Sequence, residues 1–220
     1  MIWIVMIAVM VLSMLIQARL KSRFEKYSEV PTGLSGAEVA QRTLQAHGIY
    51  DVNIVSVEGT LTDHYNPQTK TVNLSHDVYY GRSVAAAAVA AHECGHVVQH
   101  ATGYGPLKLR TAMVPVLTFT NSWISWILLA GLIFVNVFPG LLWIGIGLFA
   151  LSTLFSFDTL PVEMNASARA VQWLDSAGVV SYETKPMAQD ALKWAAYTYV
   201  IAAIGSLATL LYYISIARRR

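Results

Sequence analysis

Charged side chains are scarce in this sequence. They make up 13% of its 220 residues, about half the share of an average soluble domain, while 55% of the residues are hydrophobic. The deficit excludes a chain whose whole surface faces water and points to a membrane protein. Cysteine is nearly absent: Cys94 stands alone, so no internal disulfide can form. Neither sign of charge dominates. A net charge of +2 and a pI near 8.6 give no electrostatic case for a nucleic-acid partner. Lys and Arg are missing from residues 1–18, so the basic start of a cleaved secretory leader is missing too.

Long apolar runs are what the chain does have. Residues 1–16, MIWIVMIAVMVLSMLI, extend through Gln17 and Ala18 to the length of a membrane span and read as a retained anchor helix. A segment at 112–135 carrying Pro115 and Asn121, a break from Asn136 to Gly140, and a second run at 141–157 read as a membrane helical hairpin. Residues 195–216 form a fourth apolar span, before Arg218, Arg219 and Arg220.

Between the spans the chain is more polar. Ser35 stands where a helix cap belongs, ahead of GAEVAQRTLQAH, which stops at Gly48. Val52 to Val57 alternates apolar and polar residues and predicts a strand. Leu61–Tyr65 and Thr71–Leu74 predict two more, turned by Asn66-Pro67-Gln68. Asp63, His64 and Tyr65 fall on this hairpin and read as ordinary turn-proximal polar residues at least as well as catalytic ones. His47, His76 and His100 have no partner at ligand spacing.

Chemistry concentrates at residues 82–102, RSVAAAAVAAHECGHVVQHAT. The alanine run favours a helix starting near Arg82. On it, His92 and His96 lie one turn apart on one side and can share a metal ion. Glu93 on the same turn can act as general base toward a water the metal activates. This is the His-Glu-x-x-His arrangement of a zinc peptidase. Small apolar residues before His92 predict a packed helix, where such a polar cluster is costly unless something pairs with it. Cys94 points away from the histidine face and reads as a small buried side chain.

Catalytic zinc takes three protein ligands and leaves one position open. Polarity returns at Asp158, and Asp158 or Thr159 can cap a new helix with Pro161 in its first turn. Glu163 in that turn is the best candidate for the third ligand, and Asp158 is the runner-up. A carboxylate placed there only to suit the helix dipole is the plainer alternative.

The stretches LTDHYNPQTKTVNLSHDVYYGRS, VAAHECGH and LPVEMNASARA, in this order around the apolar hairpin, resemble the YugP-like family of membrane-bound neutral zinc metallopeptidases. The resemblance covers nearly the whole chain. It implies a gluzincin-like site in which His92, His96 and Glu163 hold one Zn²⁺ and Glu93 activates water. It is similar in logic to the HtpX-type membrane proteases, which also place a hairpin between the histidine motif and a downstream Glu. Two positions depart from the pattern. Ser167 stands where gluzincins often carry an acidic residue that orients a ligand histidine, and Asn165 stands where an aspartate is expected.

The expected architecture is thus a multi-pass α-helical membrane protein with four transmembrane helices and a small α+β zincin-like metalloprotease domain. Its parts are an anchor at 1–18, a catalytic part at 19–111, a hairpin at 112–157, a second catalytic part at 158–194, a span at 195–217 and a basic tail at 218–220. Four spans put both polar parts on one side. Nine basic residues flank the spans there (Arg19, Lys21, Arg23, Lys26, Lys108, Arg110, Arg169, Lys185 and Lys193), against Arg218, Arg219 and Arg220 opposite, which favours a cytoplasmic site. The expected activity is hydrolysis of peptide bonds in membrane or membrane-proximal proteins, with the lipid bilayer as the other partner. Two rivals are an intramembrane protease, against which the short apolar run around His92 counts, and a zinc-stabilised scaffold with little turnover, for which Ser167 and Asn165 are the only support.

Overall fold

The computed structural model describes residues 2–218. Met1, Arg219 and Arg220, which belong to the expected anchor and basic tail, lie outside the described residues. The elements in chain order are α1 (Ile2–Ser28), α2 (Gly36–Ala46), β1 (Asn53–Val57), β2 (His64–Asn66), β3 (Thr71–Ser75), α3 (His76–Tyr80), α4 (Val84–Ala101), α5 (Gly105–Ile133), α6 (Pro139–Ser176) and α7 (Lys185–Arg218). Helices α1, α5, α6 and α7 are each long and apolar enough to cross a membrane.

Local chemistry accounts for the smaller elements. Ser35 caps α2 with a full capping box: its hydroxyl accepts from the Glu38 N–H, and the Glu38 carboxylate accepts from the Ser35 N–H at 2.7 Å. Gly48 ends the helix at φ 69°, a conformation suited to glycine. The sheet has the order β1-β3-β2, with β1 parallel and β2 antiparallel to β3. That leaves β2 at an edge. The second strand is shorter than expected, since Leu61 adopts a positive φ of 58° and pairing begins only at His64.

Helix α4 is the centre of the polar part. Ser83 caps it by accepting from the Ala86 N–H. Its residues Val84 to Ala88 are completely or almost completely buried, packed against Val39 and Ala40 of α2, Leu74 of β3, Leu174 of α6 and Ala188 of α7. Alanine makes this possible: its small side chain lets several elements approach one helix together. Cys94 sits in the same core, its thiol directed at the Ala40 carbonyl and its pKa raised by burial.

Three of the apolar helices continue through positions where the sequence suggested boundaries. The clearest case is α6. It runs unbroken from Pro139 to Ser176 with Pro161 inside it, so Asp158 and Thr159 cap no new helix. Thr159 instead donates its hydroxyl to the Ser156 carbonyl one turn back. An internal proline costs a helix about 3 kcal/mol or more. Burial of Val162, Glu163 and Ala166 just beyond it works against that cost. Likewise α1 continues past residue 18 to Ser28, and α7 begins at Lys185, ten residues before its apolar run.

The α5–α6 hairpin packs closely through glycine. A Cβ on Gly131 would lie 2.7 Å from the Leu142 backbone, and one on Gly145 would lie 2.7 Å from a Leu128 methyl. Ser152 donates to Asn121 across the pair, and Thr153 and Ser206 join α6 to α7 at 2.8 Å. Helix α1 is fastened to α7 by Tyr27, which donates to Asp190 at 2.7 Å, and by the Arg23–Asp190 ion pair.

Candidate metal centre

The alanine-packed α4 turns His92 and His96 toward α6. What lets the two helices meet is Gly95. A Cβ there would stand 2.7 Å from the Ala166 carbonyl oxygen, so the α6 backbone occupies the place a side chain would need. Glu163, three residues before Ala166, is thereby delivered to the histidines. Its Oε2 lies 3.2 Å from His92 Nε2 and 3.5 Å from His96 Nε2. The candidate ligand atoms of these three residues all lie within 4.8 Å of one another. Glu163 sits deep inside α6, far from the helix N-terminus, so a dipole-favoured first-turn carboxylate does not describe it.

The donor set suits a metal ion. Donors held about 2.0 Å from a tetrahedral ion stand about 3.3 Å apart, close to the separations seen here. The outer partners point the same way. Gln99 is fully buried and donates its amide to the Val162 carbonyl at 2.7 Å and to Asn165 Oδ1 at 3.0 Å. Arg169 donates to the same Asn165 oxygen at 2.8 Å. The Gln99 oxygen is therefore left to accept from His96 Nδ1–H at 3.1 Å. That turns His96 Nε2 toward a carboxylate oxygen, where a metal ion or a proton can bridge them. Burial alone would lower the His96 pKa. The Glu163 hydrogen bond and the charges of Glu93 and Glu163 outweigh it and raise the pKa, as expected where a proton competes for a metal's place.

His92 is held similarly, with Nδ1 3.1 Å from Ser167 Oγ. The two departures noted in the sequence thus fall beside the site: Ser167 on His92, and Asn165 behind Gln99. The remaining carboxylate oxygen of Glu163, Oε1, accepts from Arg110 at 2.8 Å. Arg110 so occupies one oxygen and leaves the other for the histidine side. Asp158, the alternative ligand, lies outside the cluster.

The centre opens into a cleft of about 1010 Å³. Glu93 faces it, mostly buried, and its carboxylate makes no hydrogen bond among the described residues. Edge strand β2 forms one wall, tied to α4 by a 3.0 Å hydrogen bond between Tyr65 and His100. Tyr199 of α7 and the first half of α5 complete the lining. Asp63, on the same wall of the cleft, accepts from the Ser75 N–H and hydroxyl, and burial raises its pKa against those bonds. His47 is bonded to the Thr43 carbonyl, and His76 rests against Tyr80. Arg110, Gln99 and Tyr199 were not anticipated from sequence. Gln99 shares the motif helix with His96, whereas Arg110 and Tyr199 lie on apolar helices and only packing brings them to the site.

Residues 2–218 match the family described as "Putative neutral zinc metallopeptidase". The chain is 44% identical over 212 residues to "Putative membrane protease YugP" of Bacillus subtilis (strain 168), covering 96% of this chain and 93% of that protein. No solved structure matches the chain.

Proposed function

The chain belongs to this family of neutral zinc metallopeptidases, and from that premise we propose that it is a membrane endopeptidase whose metal centre is His92, His96 and Glu163 with Glu93 as general base. The observation that carries the proposal is the convergence of three donor atoms beside a buried carboxylate that makes no hydrogen bond among the described residues, in one cleft. When bound, Zn²⁺ supplies Lewis acidity that acidifies a water and polarises a carbonyl oxygen.

The side chains divide the remaining work. Glu93, free of hydrogen bonds, accepts the proton of the attacking water and returns it to the leaving amine. Ser167 and Gln99 fix the two imidazole rings so that both Nε2 atoms face inward. Arg110 holds Glu163 by one oxygen. Strand β2, paired with β3 on one side only, offers its free edge to an extended substrate as an added strand. This is the gluzincin scheme set in a small α+β part, between the anchor, the hairpin and the last span. The basic residues flanking the spans favour the cytoplasmic side. The scaffold alternative drew on Ser167 and Asn165. With both placed beside the metal centre, no observation favours it.

The test is zinc content measured together with cleavage of an unfolded soluble protein in detergent. Wild type is expected to carry one zinc per chain and to cleave. Glu93→Gln is expected to keep the zinc and to lose cleavage by about 100-fold or more, the scale of general-base catalysis. Undiminished cleavage by Glu93→Gln would overturn the assignment.

A further inference from the structure

The cleft is longer than a metal centre needs. It continues from Arg110 along one face of α5 through Val114, Thr118, Phe119 and Ser122. Arg110 lies 23 residues before the end of α5 at Ile133, and Glu163, paired with it at 2.8 Å, lies 24 residues after the start of α6 at Pro139. At about 1.5 Å per helical residue that is about 35 Å, beyond a hydrocarbon core of about 30 Å. With the turn at the opposite surface, the donor cluster stands at the level of the lipid headgroups. Phe119 and Ser122 lie only about 21 and 17 Å from the end of α5 by the same measure, inside the hydrocarbon. One cavity spans two solvents.

We propose that this α5 face binds the apolar segment of a membrane-anchored polypeptide, presenting the bond to be cut at the membrane surface. The proposal rests on the peptidase reading of the centre.

Three features favour a polypeptide over a lipid chain. The first is continuity: the same cavity holds the edge of β2, the metal donors and the α5 face. The second is the chemistry of that face. Thr118 and Ser122 donate their hydroxyls back to the carbonyls of Val114 and Thr118, which leaves oxygen lone pairs toward the cleft. Pro115 has no N–H, so the Thr111 carbonyl loses its usual helical donor. An acyl chain has no use for such acceptors. A peptide drawn out of its helix for cleavage exposes N–H groups that must find partners at this depth. Third, apolar surface lies beside them, with Phe119 71% exposed.

The experiment uses the full chain in proteoliposomes with one cleavable linker presented in two ways: attached to a transmembrane peptide, or attached to a double acyl anchor. Both anchors give the same surface concentration, so a difference reports recognition. In parallel, a photoreactive side chain replaces Phe119, or Val116 as the exposed control on another face, in Glu93→Gln protein given the transmembrane peptide. Cleavage at least about 10-fold faster for the peptide-anchored form, with crosslinks from 119 and few from 116, is the expected result. Equal cleavage of the two forms, or crosslinking no stronger from 119 than from 116, would overturn the surface while leaving the peptidase reading intact. Strong crosslinking from 119 in the Glu93→Gln protein, together with a zinc-loaded wild type that cleaves neither form, would support the surface and overturn the peptidase reading.

Discussion

The two helices that bring His92, His96 and Glu163 together are built for different surroundings. Helix α4 is short, capped by Ser83 and enclosed on almost every side by other elements. Helix α6 is more than twice as long and leaves Trp143, Ile144 and Leu154 exposed along its apolar half before its final turns enter the same core as α4. The pair His92–His96 is fixed by the geometry of one helix. The third donor is fixed only by how a second helix crosses the first. A metal centre assembled this way is locally rigid on one side and depends on a single close crossing on the other.

Removing the donor on the crossing side should have the largest effect. Glu163→Ala is expected to leave zinc well below one per chain and to cut cleavage by more than the 10–100-fold typical of losing an outer partner. Metal analysis and proteolysis measured together check this. Stoichiometric zinc in this variant would mean that α4 binds metal without α6.

The crossing itself is the next target. Gly95→Ala places a methyl group against the Ala166 backbone, and overpacking of this kind costs about 1–3 kcal/mol. Thermal unfolding in detergent should show a lower midpoint and little further shift when a chelator is added, since the separated donors no longer hold zinc. Gly147→Ala, which meets nothing within 4 Å, should hold or raise the midpoint.

A smaller effect is expected where one helix merely orients the other's donor. Ser167→Ala removes the partner of His92 Nδ1 and should weaken zinc by about 10-fold in a competition titration. Unchanged affinity would show that α4 needs no help from α6 in aiming its histidine.

The smallest effect belongs to the polar part away from the crossing. Ser35→Ala should cost about 1 kcal/mol of stability with zinc affinity untouched. The same capping box carries a pH dependence. The Ser35 N–H, aided by the Arg82 charge, lowers the Glu38 pKa. Its contribution is present above the ordinary carboxylate pKa and is lost as the pH falls through the lower folded value. Acid titration of the wild type against Glu38→Gln, which keeps an acceptor but cannot ionise, should therefore show the difference closing at low pH.

The same contrast governs what the sequence could reveal. His92, Glu93 and His96 are legible because spacing along one helix determines their geometry. The apolar helices are legible because solvent dictates their composition. Its place after the hairpin suggested Glu163 as a partner of the histidines, beside which it lies, yet its setting was misjudged: Pro161 reads as a helix start, and only packing keeps the helix running through it. Arg110 reaches Glu163 across 53 residues of chain and Gln99 reaches Asn165 across 66, and no local pattern encodes such contacts. The short helix α3 and the positive φ of Leu61 escaped for a similar reason, since each reflects how the small sheet joins α4.

The hairpin between the donors also sets a schedule. His92 and Glu163 are 71 residues apart. At about 5–20 residues per second, a ribosome needs roughly 4–14 s to travel between them. During that interval the chain carries His92, Glu93 and His96 but has not yet made Glu163. Completion waits until both hairpin helices have been synthesised and integrated into the bilayer. A nascent chain therefore holds only part of this cluster, and its own insertion delivers the rest.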